Sequence, residues 1–105
     1  MYQYRQGDVL LVPVASVPGD AKVVKREGGR TVLAHGEATG HHHSFGSDAG
    51  VALLEVPTGE RFLRVTKVAA LEHQEHTTID VPLGDYSVII QREYDDAADW
   101  RRVQD

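Results

Sequence analysis

The sequence predicts an all-β fold, a small antiparallel sandwich or barrel of about seven strands. Turn signals recur at close spacing along the 105 residues, and the segments between them are apolar and rich in β-branched side chains. No stretch has the length and periodicity of a helix that could cross between parallel strands. Antiparallel sheets joined by short turns are therefore expected.

The first predicted strands lie before residue 35. Residues 8–14 (DVLLVPV) form an apolar run, and Pro13 indicates that it ends at a sheet edge or a bulge. Residues 22–26 and 30–34 are predicted to pair as a hairpin, because Gly28 and Gly29 between them can adopt the positive φ angles of a tight turn.

The following segments alternate between loop and strand. Residues 35–50 hold four glycines and are predicted as a loop, and residues 51–56 as a strand. Residues 61–71, with Phe, Val and Leu, are predicted as one long strand. Residues 77–81 alternate polar and apolar, which is typical of a half-buried strand, and residues 86–94 are predicted as the last strand.

The last strand and the tail complete one domain, residues 1–105. Tyr86, Val88 and Ile90 share one face of the strand. We predict core positions for Val88 and Ile90, so that truncating Ile90 to Ala costs roughly 2–4 kcal/mol of stability. The acidic residues 95–105 are predicted to form a short tail, with one helical turn that packs back on the sheet.

The composition excludes several functions. The chain has no cysteine, so disulfides, thiolate catalysis and Cys-based metal sites are excluded. A net charge of -5 disfavours non-specific binding to nucleic acid, which depends on neutralising phosphates. No apolar run reaches membrane-spanning length, and the start of the chain lacks an apolar signal core. The lack of cysteine in so small a domain favours the cytoplasm.

The histidines are the feature that points to chemistry. All six fall in two short segments, LAHGEATGHHHSF and LEHQEH. Imidazole is suited to binding a transition metal or moving a proton near neutral pH. In an extended segment His41 and His43 point to one face and His42 to the other.

These spacings predict a metal site built from both segments. The predicted ligands are His41, His43, His73 and His76. Nitrogen and oxygen donors without sulfur suit a divalent transition metal such as zinc, nickel, iron or manganese. Glu37 and Glu75 lie beside the histidines and are the candidate catalytic general bases, if the metal polarises a substrate oxygen or activates a water.

Two classes of function stay open. One is a metal-dependent enzyme acting on a small or phosphorylated substrate. The other is a non-catalytic binding or interaction module, in which the histidines are structural or solvated loop residues. No phosphate-binding, dinucleotide or serine-nucleophile fingerprint is present. The sequence is compatible with a small-molecule ligand and with a homo-oligomer.

Both His segments lie in stretches that resemble a known family. LAHGEATGHHH, LEHQEHTTIDVPLGDYSVIIQREYD and WRRVQD are similar to a family of small, mostly uncharacterised bacterial and phage proteins with the pattern G-E-x-T-G-H-x-H, H-x-E-H and Q-R-E-Y. The pattern falls on Gly36, Glu37, Thr39, Gly40, His41, His43, His73, Glu75, His76 and residues 91–94. The resemblance implies that these positions belong together, and it implies no activity.

The spacing of His41 and His43 also looks similar to cupins. In that family an H-x-H pair on a strand and a later His hold a metal inside a β-barrel. The chain departs from the cupin pattern because no Glu follows His43 at a short interval; the next is Glu55. The likeness implies a cupin-like β architecture.

Overall fold

The computed structural model of the protein describes residues 2–36 and 40–91. Glu37, the predicted tail 95–105 and residues 92–94 of the last predicted strand lie outside these ranges. The described residues form ten strands and contain no helix, hence none long and apolar enough to cross a membrane. The strands are β1 (Tyr4–Gln6), β2 (Val9–Val14), β3 (Lys22–Val23), β4 (Thr31–His35), β5 (His42–Phe45), β6 (Val51–Glu55), β7 (Arg61–Val65), β8 (Ala69–Glu72), β9 (Ile79–Val81) and β10 (Gly84–Ile90).

The strands form two antiparallel sheets that share one core. The first sheet has the order β1-β2-β10-β7-β6-β3, and the second has the order β4-β5-β8-β9. Every pairing is antiparallel. The buried apolar cluster draws on both sheets and consists of Val9, Leu11, Leu33, Phe45, Val51, Leu53, Leu63, Val65, Ala69, Leu71, Val81 and Tyr86. The predicted all-β antiparallel fold is therefore confirmed. Of the two predicted architectures, sandwich or barrel, the two sheets form a sandwich, and the described residues hold more strands than the seven expected.

The segment predicted as one long strand, residues 61–71, is two strands in different sheets. β7 lies in the six-stranded sheet and β8 in the four-stranded sheet. The chain turns at Thr66, whose backbone N–H donates to the carbonyl of Gly50 at 2.7 Å. Val68, which fitted the apolar pattern, is 63% exposed in this corner. The single-strand prediction is wrong because a composition suited to strands does not show where a chain changes sheet.

The hairpin predicted around Gly28 and Gly29 is correct only at its turn. Both glycines have positive φ, 57° and 81°, as a tight turn requires. Beyond one isolated bridge between Glu27 and Arg30, the flanking strands separate. β3 pairs with β6 in one sheet, whereas β4 pairs with β5 in the other. The turn thus lies where the chain passes between the sheets.

Ile90 is not a core residue, contrary to the prediction. It is 39% exposed, whereas Tyr86 on the same strand is 4% exposed. The reason is that β7 pairs with β10 only as far as Val88, and beyond that point β10 has a neighbouring strand on one side alone. Val88 is partly buried against the core.

Strand β5 lies inside the segment predicted as a loop, residues 35–50. It pairs with β4 on one side and with β8 on the other. Phe45 at its end is fully buried, and this burial holds the segment extended. Consequently, the histidine triplet lies at the start of an internal strand of the four-stranded sheet.

Candidate metal site

The two His segments are brought together by strand pairing. His43 lies in β5, and His41 immediately precedes that strand. His73 and His76 lie in the connection between β8 and β9. Because β5 and β8 pair with Ser44 opposite Glu72, the connection leaves β8 beside the start of β5. The register of these two strands therefore places the four predicted ligands at one end of the sheet.

The four imidazoles form one cluster with His73 at its centre. The ring centre of His73 lies 4.3 Å from the ring centre of His43, 4.6 Å from that of His76 and 5.6 Å from that of His41. The rings of His43 and His76 are stacked 5.7 Å apart. Two imidazoles bound to one ion have ring centres roughly 4.5–5 Å apart, given metal–nitrogen bonds of about 2.0–2.1 Å. The His73–His76 distance falls in this range, whereas the His41–His73 and His43–His76 distances are longer, so these rings must move to share one metal.

The other two histidines lie apart from this cluster. Nδ1 of His42 is 2.8 Å from the hydroxyl of Ser44. Its ring stands 6.4 Å from that of His35, which pairs with Glu27 at 2.9 Å. The triplet therefore alternates as expected for an extended segment, with His41 and His43 towards the cluster and His42 away from it.

His43 is the buried member of the cluster, and its contact with Gln6 determines which of its ring nitrogens carries a proton. The side chain of His43 is almost fully buried. The Gln6 amide nitrogen donates to the carbonyls of Leu71 at 2.8 Å and Thr77 at 3.0 Å. Its oxygen therefore faces His43 and accepts from Nδ1 at 2.8 Å. In the neutral ring, the lone pair then lies on Nε2.

Asp8 stands opposite that lone pair. Its Oδ1 lies 3.3 Å from Nε2 of His43. Asp8 and Gly7 form the two-residue turn between β1 and β2, closed by the pairing of Gln6 with Val9. Sequence reasoning missed both Gln6 and Asp8. Asp8 begins the apolar run predicted as the first strand, and nothing in the local pattern relates β1 to His43.

Hydrogen bonding gives His73 a different role from His43. Its Nδ1 accepts the backbone N–H groups of Glu75 at 3.0 Å and His76 at 3.3 Å. The proton of the neutral ring is therefore on Nε2. Burial, and then the charges of His76 and His41, lower the pKa of His73, while Glu75 opposes them. In its neutral form, His73 therefore presents an N–H group and not a lone pair at Nε2.

Glu75, a predicted general base, lies at the exposed rim. Its Oε1 is 3.9 Å from Nδ1 of His41. The other predicted base, Glu37, is outside the described residues. Within residues 2–36 and 40–91, no three His, Asp or Glu side chains are already grouped so that they could hold a metal ion. Two atoms that could each bind a metal, Nε2 of His43 and Oδ1 of Asp8, lie 3.3 Å apart.

Comparison with known proteins identifies the family. A family model described as a domain of unknown function, DUF8820, matches residues 5–91. No curated protein and no solved structure matches the chain significantly. The matched range includes both His segments as well as Gln6 and Asp8. Since the match covers most of the sequence, the chain belongs to the DUF8820 family.

Proposed function

We propose that this protein binds one divalent transition metal at the cluster formed by His41, His43, His73 and His76. The observation that carries the proposal is the meeting of four imidazoles from two separate segments. The rings of His41, His43 and His76 all lie 4.3–5.6 Å from that of His73, and His43 and His76 lie 5.7 Å from each other. Protonated imidazoles at these distances repel one another, whereas a metal bound in place of the protons removes that repulsion.

The ligands are His41, His43 and at least one of His73 and His76. Of the last two, His76 is favoured, because Nδ1 of His73 already accepts backbone N–H groups and Nε2 carries the proton. Burial of His43 does not fit the alternative in which the cluster is a set of solvated loop side chains. Zinc, nickel, iron(II) and manganese all suit such donors.

As an enzyme, the protein would use the metal to polarise a substrate oxygen or to activate a water. Glu75 is then the candidate general base, because its carboxylate lies at the exposed side of the cluster near His41. A structural metal in a non-catalytic module is the second candidate, and the near-complete burial of His43 favours it. Added azide separates the two, since it changes the visible spectrum of a cobalt-substituted site only where a coordination position is open.

The direct test is calorimetric titration of chelator-treated protein with zinc, nickel, manganese and iron(II). We expect one ion per chain, bound tighter than about 10⁻⁴ M. The His41→Ala, His43→Ala and His76→Ala variants should bind weakly, and His73→Ala should lose less affinity. His42→Ala is the matched control, because it removes an imidazole directed away from the cluster. Failure of the wild type to bind any of the four ions would overturn the proposal.

A further inference from the structure

We infer that Asp8 is a ligand of this metal, paired with Nε2 of His43, and that Gln6 is the positioning residue that makes His43 available to it. The inference rests on the proposed function and adds a carboxylate to its donor set. It also assigns a role to the turn between β1 and β2, which belongs to the six-stranded sheet.

The first step is the orientation of the Gln6 amide. Two backbone carbonyls, those of Leu71 and Thr77, lie within 3.0 Å of its nitrogen, and carbonyls can only accept. The amide oxygen must therefore be the atom that faces Nδ1 of His43 at 2.8 Å. An imidazole that donates from Nδ1 to a fixed acceptor presents Nε2 as a metal ligand, which is the usual arrangement of histidine in metal sites.

The second step is the contact between His43 and Asp8. With the proton of His43 on Nδ1, the Nε2 lone pair faces the carboxylate oxygen of Asp8 at 3.3 Å. Two electron-pair donors repel at that distance unless a cation lies against both. Two ligands on one metal, with bonds of about 2.0–2.2 Å, are separated by roughly 3.0–3.4 Å. The observed separation falls in this range.

The third step is the position of His76. A Cβ atom at Gly7 would lie 2.6 Å from Nε2 of His76 and 3.1 Å from Cε1 of His43. Both imidazoles therefore approach the same turn that carries Asp8. Rotation of His76 would bring its nitrogen beside Nε2 of His43 and the carboxylate of Asp8. Together with His41, the donor set is then three nitrogens and one carboxylate, and such nitrogen and oxygen donors suit zinc or iron(II).

The competing explanation is an ion pair, in which His43 is protonated on both nitrogens and Asp8 neutralises it. In that case Asp8 contributes to stability but not to metal binding. The Asp8→Asn substitution, which keeps the shape and removes the charge, separates the two explanations. Asp80→Asn is the matched control, because Asp80 is exposed on β9 and its loss changes the net charge by the same amount.

The experiment measures zinc affinity of the full chain by calorimetry. Asp8→Asn should weaken binding by more than the roughly 10–100-fold seen when a residue supporting a ligand is changed. Asp80→Asn should bind as the wild type does. If Asp8→Asn binds zinc with wild-type affinity, Asp8 is only an ion-pair partner and the inference is overturned, while the proposed metal site stands. If the wild type binds no metal, both fall together.

Gln6 is tested with two substitutions that lose the same structural bonds. Gln6→Glu and Gln6→Met both remove the donors to Leu71 and Thr77, so both should lower the free energy of unfolding. Only Glu keeps an acceptor for Nδ1 of His43. We expect zinc affinity within about threefold of wild type for Gln6→Glu and a roughly 10–100-fold loss for Gln6→Met.

A nitrogen-15 spectrum of the histidine rings reads the mechanism directly. Metal-free wild type and Gln6→Glu should show His43 with its proton on Nδ1, and Gln6→Met should lose that preference. Equal zinc affinities for the two variants, or a wild-type His43 protonated on Nε2 alone, would show that Gln6 is only structural.

Discussion

Gly7 is the residue on which the geometry of the cluster depends most directly. Its φ of 57° is unfavourable for any residue with a Cβ, and a Cβ there would overlap Nε2 of His76 at 2.6 Å. Gly28 has the same φ of 57°, but nothing lies within 4 Å of the corresponding position. A comparison of alanine substitutions at these two glycines therefore distinguishes the cost of backbone strain from the cost of steric overlap with the cluster.

Gly28→Ala should lower the free energy of unfolding by about 1–2 kcal/mol, the cost of the left-handed conformation alone. Gly7→Ala should cost more than that, and it should also weaken metal binding, because His76 must move. Urea unfolding and zinc titration of both variants measure this. Equal losses of stability with unchanged zinc affinity would show that His76 yields freely and that Gly7 matters only for its turn.

His73 makes the stability of the metal-free protein depend on pH. Its pKa in the fold is below the ordinary value of 6.5. As pH falls through about 6.5, the unfolded chain takes up a proton that the folded chain resists, so stability decreases. The stabilisation is fully present above that pH. The unfolding free energy of chelator-treated protein should therefore be lower at pH 5 than at pH 7.5.

The control for this effect is His73→Asn. The amide oxygen of Asn can accept the backbone N–H groups of Glu75 and His76 in place of Nδ1, and Asn does not titrate. The pH dependence between 7.5 and 5 should therefore shrink in the variant. If it is unchanged, the dependence comes from other histidines of the cluster.

At the scale of elements, the stability lost by truncating a side chain depends on whether the residue lies between the sheets or at the end of a strand. Leu63 in β7 is fully buried between the sheets, whereas Ile90 at the end of β10 is 39% exposed. Leu63→Ala should therefore cost roughly 2–5 kcal/mol. Ile90→Ala should cost about 1 kcal/mol or less, because its methyl groups already contact solvent. Urea unfolding compares them, and a larger loss for Ile90→Ala would mean that the end of β10 is covered in solution.

The spacing of residue types along the sequence predicted those turns and strands whose structure depends on neighbouring residues alone. The Gly28-Gly29 turn, the strand at β6 and the alternation along β9 follow from residue types and spacing. The break between β7 and β8 does not, because the apolar character continues up to Val68 while the chain changes sheet. The exposure of Ile90 depends on where β7 begins, which is a property of a different segment.

The same distinction applies to the site. The two His segments could be identified from sequence because the rest of the chain contains no histidine and because His41 and His43 have strand spacing. Gln6 could not, since its three hydrogen bonds reach residues far away in the sequence. Local spacing cannot reveal a supporting residue whose partners are supplied by tertiary structure.

At the scale of the whole molecule, the cluster lies where the two sheets are joined by polar contacts. Gln6 belongs to β1 of the six-stranded sheet and bonds to Leu71 in β8 of the other sheet. It also holds His43, which lies in β5 of that second sheet. Because Asp8 and His43 come from different sheets, a metal held by both would link the two layers. Binding should therefore stabilise the entire sandwich.

Zinc should raise the melting temperature of the protein, because the ligands are assembled only in the folded chain. Free zinc at 100 times its dissociation constant adds about 2.7 kcal/mol of stability, which for a domain of this size corresponds to a shift of roughly 10–20 °C. Excess chelator should reverse the shift. His42→Ala should respond like the wild type, whereas Asp8→Asn and His43→Ala should respond weakly. If titration shows that the wild type binds zinc but a calorimetric scan shows no rise in melting temperature, the unfolded chain must bind zinc equally well. That result would refute the link between the sheets.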